Sequence, residues 1–508
     1  MEIGNGVKEL PNNVFATGNK LISLTIGSAV LSINSNAFSS KPIKTIWLTN
    51  TPPEGYTQAN GKVNYVANEL YKYLSKTTVY PFLSSLFEVN GVKYVPVSPS
   101  DRTCDAIDCT YDKSVEKINI GKTVTFKGVE MAVKGVKHYT CYKNSYINGA
   151  TLSFEGDLGD YAFSNCTALT TATLGSKITS IGKDAFYNCS SLQEITIPNA
   201  VKSLGEYAFY GCSGMTSAKI GNGITAINKS TVSGCSALKD IQIGTGVMTI
   251  DTYSFSRCSS LPMIEIPKNV TDIKDYVFQS CSQLKNVNIA DREEVLNLGS
   301  NDSSPLFAHC PLEEVYIGGN ISYSTGSNKG YSPFYRNTSL QTVTITDKET
   351  EISPNEFYGC TSLKNVSIGD GVTTIGNWAF SGCSSLENFS YGSMVNSIGQ
   401  EAFSDCTAMT KLVSHAATPP VCGSQALDDI NKWACTLSVP KGATASYQAA
   451  DQWKEFFFIN DELEIATLLG DANGDGVVNV TDIVSVVNII LSDPVAAREL
   501  LGDDEEDE

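Results

Sequence analysis

Asp471, Asn473, Asp475, Asn479 and Asp482 lie in the stretch GDANGDGVVNVTDIVSVVNIIL at alternate and then wider spacing, a pattern suited to wrapping a hard cation. Counted from Asp471, they hold positions 1, 3, 5, 9 and 12 of a calcium loop. Val477 adds its carbonyl at position 7, and Gly476 stands where the loop turns sharply. Ca²⁺ needs six to eight oxygens, so these six residues form the candidate metal set. The aliphatic positions Ile483, Val486, Val487 and Ile490 then repeat at helical spacing.

Fifteen cysteines are the second chemical feature. Cys166, Cys189, Cys212, Cys235, Cys258 and Cys281 are each 23 residues apart, and the spacing resumes at Asn337, Cys360, Cys383 and Cys406. No C-x-x-C pair is present to hold zinc. Equivalent residues of stacked coils sit about 4.8 Å apart with parallel vectors, which does not suit a disulfide. The series is read as a ladder of buried thiols packing as small hydrophobes. Cys104 with Cys109, and Cys422 with Cys435, fall off the ladder and are the disulfide candidates. His138, His309 and His415 stand in unrelated contexts with neither a nucleophile nor metal spacing nearby. Paired carboxylates could converge without a sequence signal, but nothing positive points to them. No catalytic residue is assigned and no enzyme is expected.

The elements that must position these residues follow from the repeat. A phenylalanine keeps the same period (Phe163, Phe186, Phe209, Phe255, Phe278, Phe357, Phe380, Phe403), and an aliphatic ladder runs through Val201, Ile224, Val247 and Val270. A fixed period of this size predicts stacked coils, each burying its apolar side chains against its neighbours. Within a unit, LQEITI points Leu192, Ile195 and Ile197 inward, and Ser/Thr/Asn/Gly mark the turns, so the solenoid is expected to be mainly β.

The pattern [VI]-x-x-I-G-x-x-A-F-x-x-C-x-x-L-x-x-[VI]-x-I resembles the BspA-like leucine-rich repeats of bacterial surface proteins. The resemblance implies a right-handed leucine-rich-repeat solenoid, often exported and used for adhesion or host contact. The calcium loop, followed by one helix and closed by Asp rather than Glu, resembles the dockerin type I repeat. That likeness implies a small α-helical segment, a cohesin-like partner and contact positions at Val480 and Thr481. Dockerins usually carry two such loops and this chain shows one, which puts cohesin binding in doubt.

The chain is thus expected to comprise a partial repeat module with its cap (1–80) and a hairpin with a degenerate start (81–150). The main solenoid (151–415), a second cap (416–461), the dockerin-like segment (462–494) and an acidic tail (495–508) follow. FEVNGVKYVPV around Asn90–Gly91 has the residue chemistry of a two-residue hairpin. Two coils are long: Cys281 to Cys310 spans 29 residues and Cys310 to Asn337 spans 27. Their loops bring Tyr316, Tyr323, Tyr331 and Tyr335 as candidate contacts for a protein or glycan, with drift in a tolerant loop as the alternative.

Formal charge is −18, from 36 Lys+Arg against 54 Asp+Glu, and the terminal Asp503–Glu508 run is part of it. Without a basic patch, nucleic acid is not an expected partner. No apolar run approaches a membrane span. The opening MEIGNGVKEL has no charged-then-apolar signal pattern and begins mid-repeat, so an upstream part is expected. The function expected is a secreted or cell-surface recognition scaffold used in adhesion, with a calcium-dependent docking segment. The alternative is a non-catalytic component of an extracellular polysaccharide-degrading assembly of the cohesin–dockerin kind.

Overall fold

A computed structural model describes residues 87–98, 100–299, 305–323 and 332–463, together with short strands within residues 2–80. In this first part, Glu2–Ile3, Ser23–Ile26, Thr45–Leu48 and Thr78–Tyr80 pair in parallel, and Tyr56–Ala59 and Lys62–Tyr65 form an antiparallel pair. The candidate calcium loop, Val480, Thr481 and Tyr331 lie outside the described residues.

The hairpin of Phe87–Val89 and Val92–Ser98 opens the second array. It turns through Asn90 and Gly91, both left-handed (φ 50° and 75°), the backbone that Asn-Gly favours. Thr103–Cys109 pairs antiparallel with the hairpin and parallel with Val129–Val136, and from there every coil adds a parallel rung.

Each coil contributes a strand from its L-x-x-[VI]-x-I segment and a two-residue strand from the following aliphatic piece. The longer strands form a six-stranded sheet from Lys117–Ile120 to Asp240–Gln242, then a nine-stranded one from Met263–Ile266 to Phe458–Leu463. Register is strict: Val343 faces Val366, and Ile345 faces Ile368. Because side chains alternate across a strand, this register puts most aliphatic positions inside and most polar ones outside, with Met263 and Val413 as outward exceptions.

The core is made of ladders. Phenylalanines 163, 186 and 209, then 255 through 403, stack with ring centroids 5.2–5.7 Å apart and planes within 13°. This is within the range favoured by aromatic pairs. Most coils make two left-handed corners, as at Asp184 and Asn188 or Trp378 and Gly382. One is the residue before the cysteine, such as Asn188 (φ 53°) or Gly211 (φ 70°), which accounts for the Asn/Gly preference there. The fold is therefore a mainly β parallel solenoid; among the described residues the α-helix is the six-residue Thr444–Ala449.

That short helix belongs to the closing cap. It carries no side-chain cap of its own, and its order comes from burial of Tyr447 and, just beyond it, Trp453. The Tyr447 hydroxyl donates to the Ala416 carbonyl at 2.9 Å and the Trp453 indole to the Pro420 carbonyl at 2.9 Å. Both reach back across the last coil, satisfying carbonyls that a further rung would otherwise engage.

Candidate ligand-binding face

The outer face of the nine-stranded sheet is assembled by register alone. Asn286, Glu314, Thr342, Asn365, Asn388 and Lys411 form one row. Asn288, Tyr316, Thr344, Ser367, Ser390 and Val413 form the next. The small side chains of Thr344, Ser367 and Ser390, beside Val413, leave a depression of about 250 Å³. Thr342, Asn365, Asn388 and Lys411 add polar lining, and Val343, Val366 and Phe389 add apolar lining.

This depression offers hydroxyls, amides and one ammonium. Asn388 donates to the Asn365 amide oxygen at 2.9 Å, which leaves the other half of each amide available to a ligand. Tyr316 is half-buried, and its hydroxyl donates to Asp291 at 2.7 Å. Burial first, and the Asp291 carboxylate second, push its phenol up to about 12, so it stays neutral and fixed. Such a surface can hydrogen-bond an uncharged polar ligand and carries no acid–base pair for chemistry.

The outward positions Glu194, Thr196, Lys219, Asp240 and Gln242 continue the polar face on the six-stranded sheet. The candidate tyrosines are separated by the fold. Tyr316 lies on the sheet face, whereas Tyr335 stacks on Tyr358 at 5.4 Å with Arg336 over its ring. Tyr323 packs against the core with its hydroxyl buried. His138, His309 and His415 sit in three different coils. His138 accepts the Asp160 N–H at 2.8 Å, His309 is the left-handed residue before Cys310, and the His415 N–H donates to the Tyr391 carbonyl.

The cysteine ladder does more than fill space. Cys189, Cys212, Cys235, Cys281, Cys360, Cys383 and Cys406 each donate a thiol to the phenylalanine carbonyl of the preceding coil, at 3.1–3.3 Å. Asn337, at the thiol's place, donates its amide to the Cys310 carbonyl at 2.8 Å, a different acceptor in the same preceding coil. Cys and Asn alike thus bring a side-chain donor to the preceding coil at this position. Burial pushes the Cys212 thiol up to about 12.

The disulfide expectation is corrected. Cys109 bonds to Cys141, while Cys104, Cys422 and Cys435 are free thiols. Cys141 takes the place of the ladder phenylalanine in the first coil, 22 residues before Phe163, so its side chain points into the interior beside Cys109. The clue in the sequence was its offset from the phenylalanine series rather than the cysteine series.

Buried charge at the long coils was not read from the sequence. Arg292 is buried and donates to the carbonyls of Ile266, Pro267, Val270 and Ala290. Glu349 and Glu356 are buried where the next coil has Val372 and Ala379. Glu349 accepts the Ile321 N–H and Glu356 the Ser353 N–H. Burial holds both carboxyls well above the usual range, and for Glu349 the charge of Glu356 adds to it. Aligning the coils position by position would have exposed both substitutions.

The BspA-type leucine-rich-repeat region matches this sequence over residues 1–59, 138–258, 214–328 and 327–418. The chain belongs to the BspA-type leucine-rich-repeat family. Similar solved structures include a leucine-rich-repeat protein from Bacteroides ovatus, 21% identical, covering 72% of this chain and 98% of its own, with a TM-score of 0.42. A leucine-rich cell-surface protein from Faecalibacterium prausnitzii is 22% identical over 66% of this chain and 95% of its own, TM-score 0.38. The pneumococcal vaccine antigen PcpA is 13% identical over 74% and 98%, TM-score 0.32. No curated protein matches the chain. The BspA-type match stops at residue 418, before the candidate calcium loop. No helix among the described residues is long and apolar enough to cross a membrane, and no cluster of metal-ligating side chains occurs among them.

Proposed function

We propose that the chain is a non-catalytic recognition scaffold, displayed outside a bacterial cell, that holds a protein or glycan ligand on the outer face of its nine-stranded sheet. The observation that carries this reading is the depression lined by Thr344, Ser367, Asn365, Asn388 and Ser390. Its groups match the donors and acceptors of sugar hydroxyls or an extended peptide, on a rigid register that limits the ordering cost of binding. The C-terminal loop of Asp471, Asn473, Asp475, Val477, Asn479 and Asp482 would bind Ca²⁺ and serve for docking, a part of the proposal that rests on sequence spacing.

The test is capture by the immobilised full chain from panels of soluble glycans and extracellular proteins, beside a Ser367→Trp variant that fills the depression. Ligand retained by the wild type and lost by the variant supports the reading; turnover of the ligand, or equal capture by both, overturns it. Calorimetry with Ca²⁺ on the wild type and on Asp475→Ala tests the loop, and absence of heat with the wild type removes it.

A second reading, membership of a polysaccharide-degrading assembly, is favoured by the likeness of that loop to a dockerin repeat. Val480 and Thr481 would then meet a cohesin-like partner, and binding of such a partner only in Ca²⁺ is the expected result.

A further inference from the structure

The far end of the solenoid presents an aromatic patch that the coils before it do not. Trp433, Phe457 and Phe458 are 75%, 62% and 50% exposed. The Trp433 ring lies 5.1 Å from Phe457, and Phe457 lies 4.9 Å from Phe458 at 85°, so the three form one surface. Phe458 stands in register with Thr436, and Thr436 with Lys411, so the outer row turns from polar to aromatic on the last strand. No strand among the described residues pairs beyond Phe458–Leu463. A terminal coil that exposes a large apolar surface calls for a cover.

The polar surroundings argue against a sugar as that cover. Lys432, next to Trp433, is spent on Glu455 at 2.7 Å, and Lys454 on Asp451 at 3.0 Å. A glycan stacked on the rings would find these charged side chains already paired with one another. An aliphatic occupant requires no such partners.

The chain itself supplies one. Strand Phe458–Leu463 leads from the patch directly into residues 464–508. Twenty residues beyond Leu463, Ile483 begins the series Ile483, Val486, Val487 and Ile490. With the loop closed from Asp471, the eight-residue connection after Leu463 spans up to about 26 Å when extended, at roughly 3.3 Å per residue, enough to turn back along the roughly 17 Å from Leu463 to Phe458. One loop and one short apolar face have too little core to bury that face alone.

We propose that the face formed by Ile483, Val486, Val487 and Ile490 packs on Trp433, Phe457 and Phe458, making the C-terminal segment an outer cap of the solenoid. The proposal deepens the docking reading and shares with it the expectation that Ca²⁺ orders the loop. It fixes the loop beside the last coil, so that whatever the loop recruits is held at the end of the ligand-binding sheet.

The test places the photo-cross-linker p-benzoylphenylalanine at Phe457 of the full chain, irradiates it in Ca²⁺ and in EGTA, and maps products by mass spectrometry. The expected product is monomer-sized and joins residue 457 to the peptide spanning 480–491. Val486→Asp with Val487→Asp should lower its yield at least fivefold while the thermal transition of the solenoid is unchanged. Products only between two copies, or none reaching 480–491, overturn the proposal. Calorimetry with Ca²⁺ runs in parallel. Heat without the cross-link sinks the packing alone, whereas the cross-link without heat keeps the packing and removes the calcium reading.

Discussion

The Cys212 thiol donates to the Phe186 carbonyl at 3.2 Å, and Phe186 belongs to the coil before. Each such bond fastens one coil to its neighbour by adding a second donor to a corner carbonyl that already accepts a backbone N–H of its own coil, as Phe186 does from Cys189 at 3.1 Å. The cysteine ladder is therefore a seam between repeats, buried and chemically quiet.

Replacing Cys212 by Ala should destabilise the array by roughly 1–3 kcal/mol, since it removes one of the two donors to the Phe186 carbonyl, leaving the Cys189 N–H, and opens a small void. Asn337→Ala should do the same, and Asn337→Cys should recover most of the loss. Urea unfolding of the full chain, followed by far-UV circular dichroism, checks the order.

The ladder thiols should resist alkylation in the folded protein. Burial raises Cys212, Cys281 and Cys360 to about 12, from an ordinary value of 9.0. Because the folded value is the higher one, their contribution is complete below pH 9 and is lost as pH rises towards 12. Iodoacetamide at pH 8 should label the partly exposed Cys422 first, with ladder cysteines appearing in the mass spectrum only after denaturation.

Glu349→Gln should stabilise the protein at neutral and alkaline pH and have little effect near pH 4. The carboxyl is held above its ordinary value of 4.5 by burial and by Glu356, so the folded state favours the protonated form. That contribution is present at low pH and lost as pH rises. The amide keeps an acceptor for the Ile321 N–H and has no charge to bury. Melting temperatures at pH 4, 7 and 9 should diverge between the two proteins; parallel curves would refute the assignment.

Removing the Cys109–Cys141 bond by double substitution to Ser should loosen the start of the second array. The bond closes a separation of 32 residues, for which about 2–4 kcal/mol is the usual scale. Hydrogen exchange should quicken in Thr103–Cys109 and Val129–Val136 while the strands after residue 340 keep their protection, because a solenoid transmits stability mainly between neighbours.

The period was legible because every coil buries the same side chains in the same places. Phe186 and Phe209, or Leu192 and Ile195, repeat for one reason, contact with equivalent residues about 4.8 Å away. The hairpin at Asn90–Gly91 was legible for a local reason, the left-handed backbone of its two turn residues. The sequence by itself thus determined the architecture and the inward and outward positions.

Only the tertiary structure decided what each coil does to the next. The acceptor of a Cys212 thiol, the partner of Cys109 and the depression across Thr344, Ser367 and Ser390 all depend on residues more than 20 positions apart. The burial of Glu349 near Glu356 belongs with them. Periodicity specifies which side chains are stacked, whereas donor directions and the spaces between side chains are set by how the stacked backbones meet.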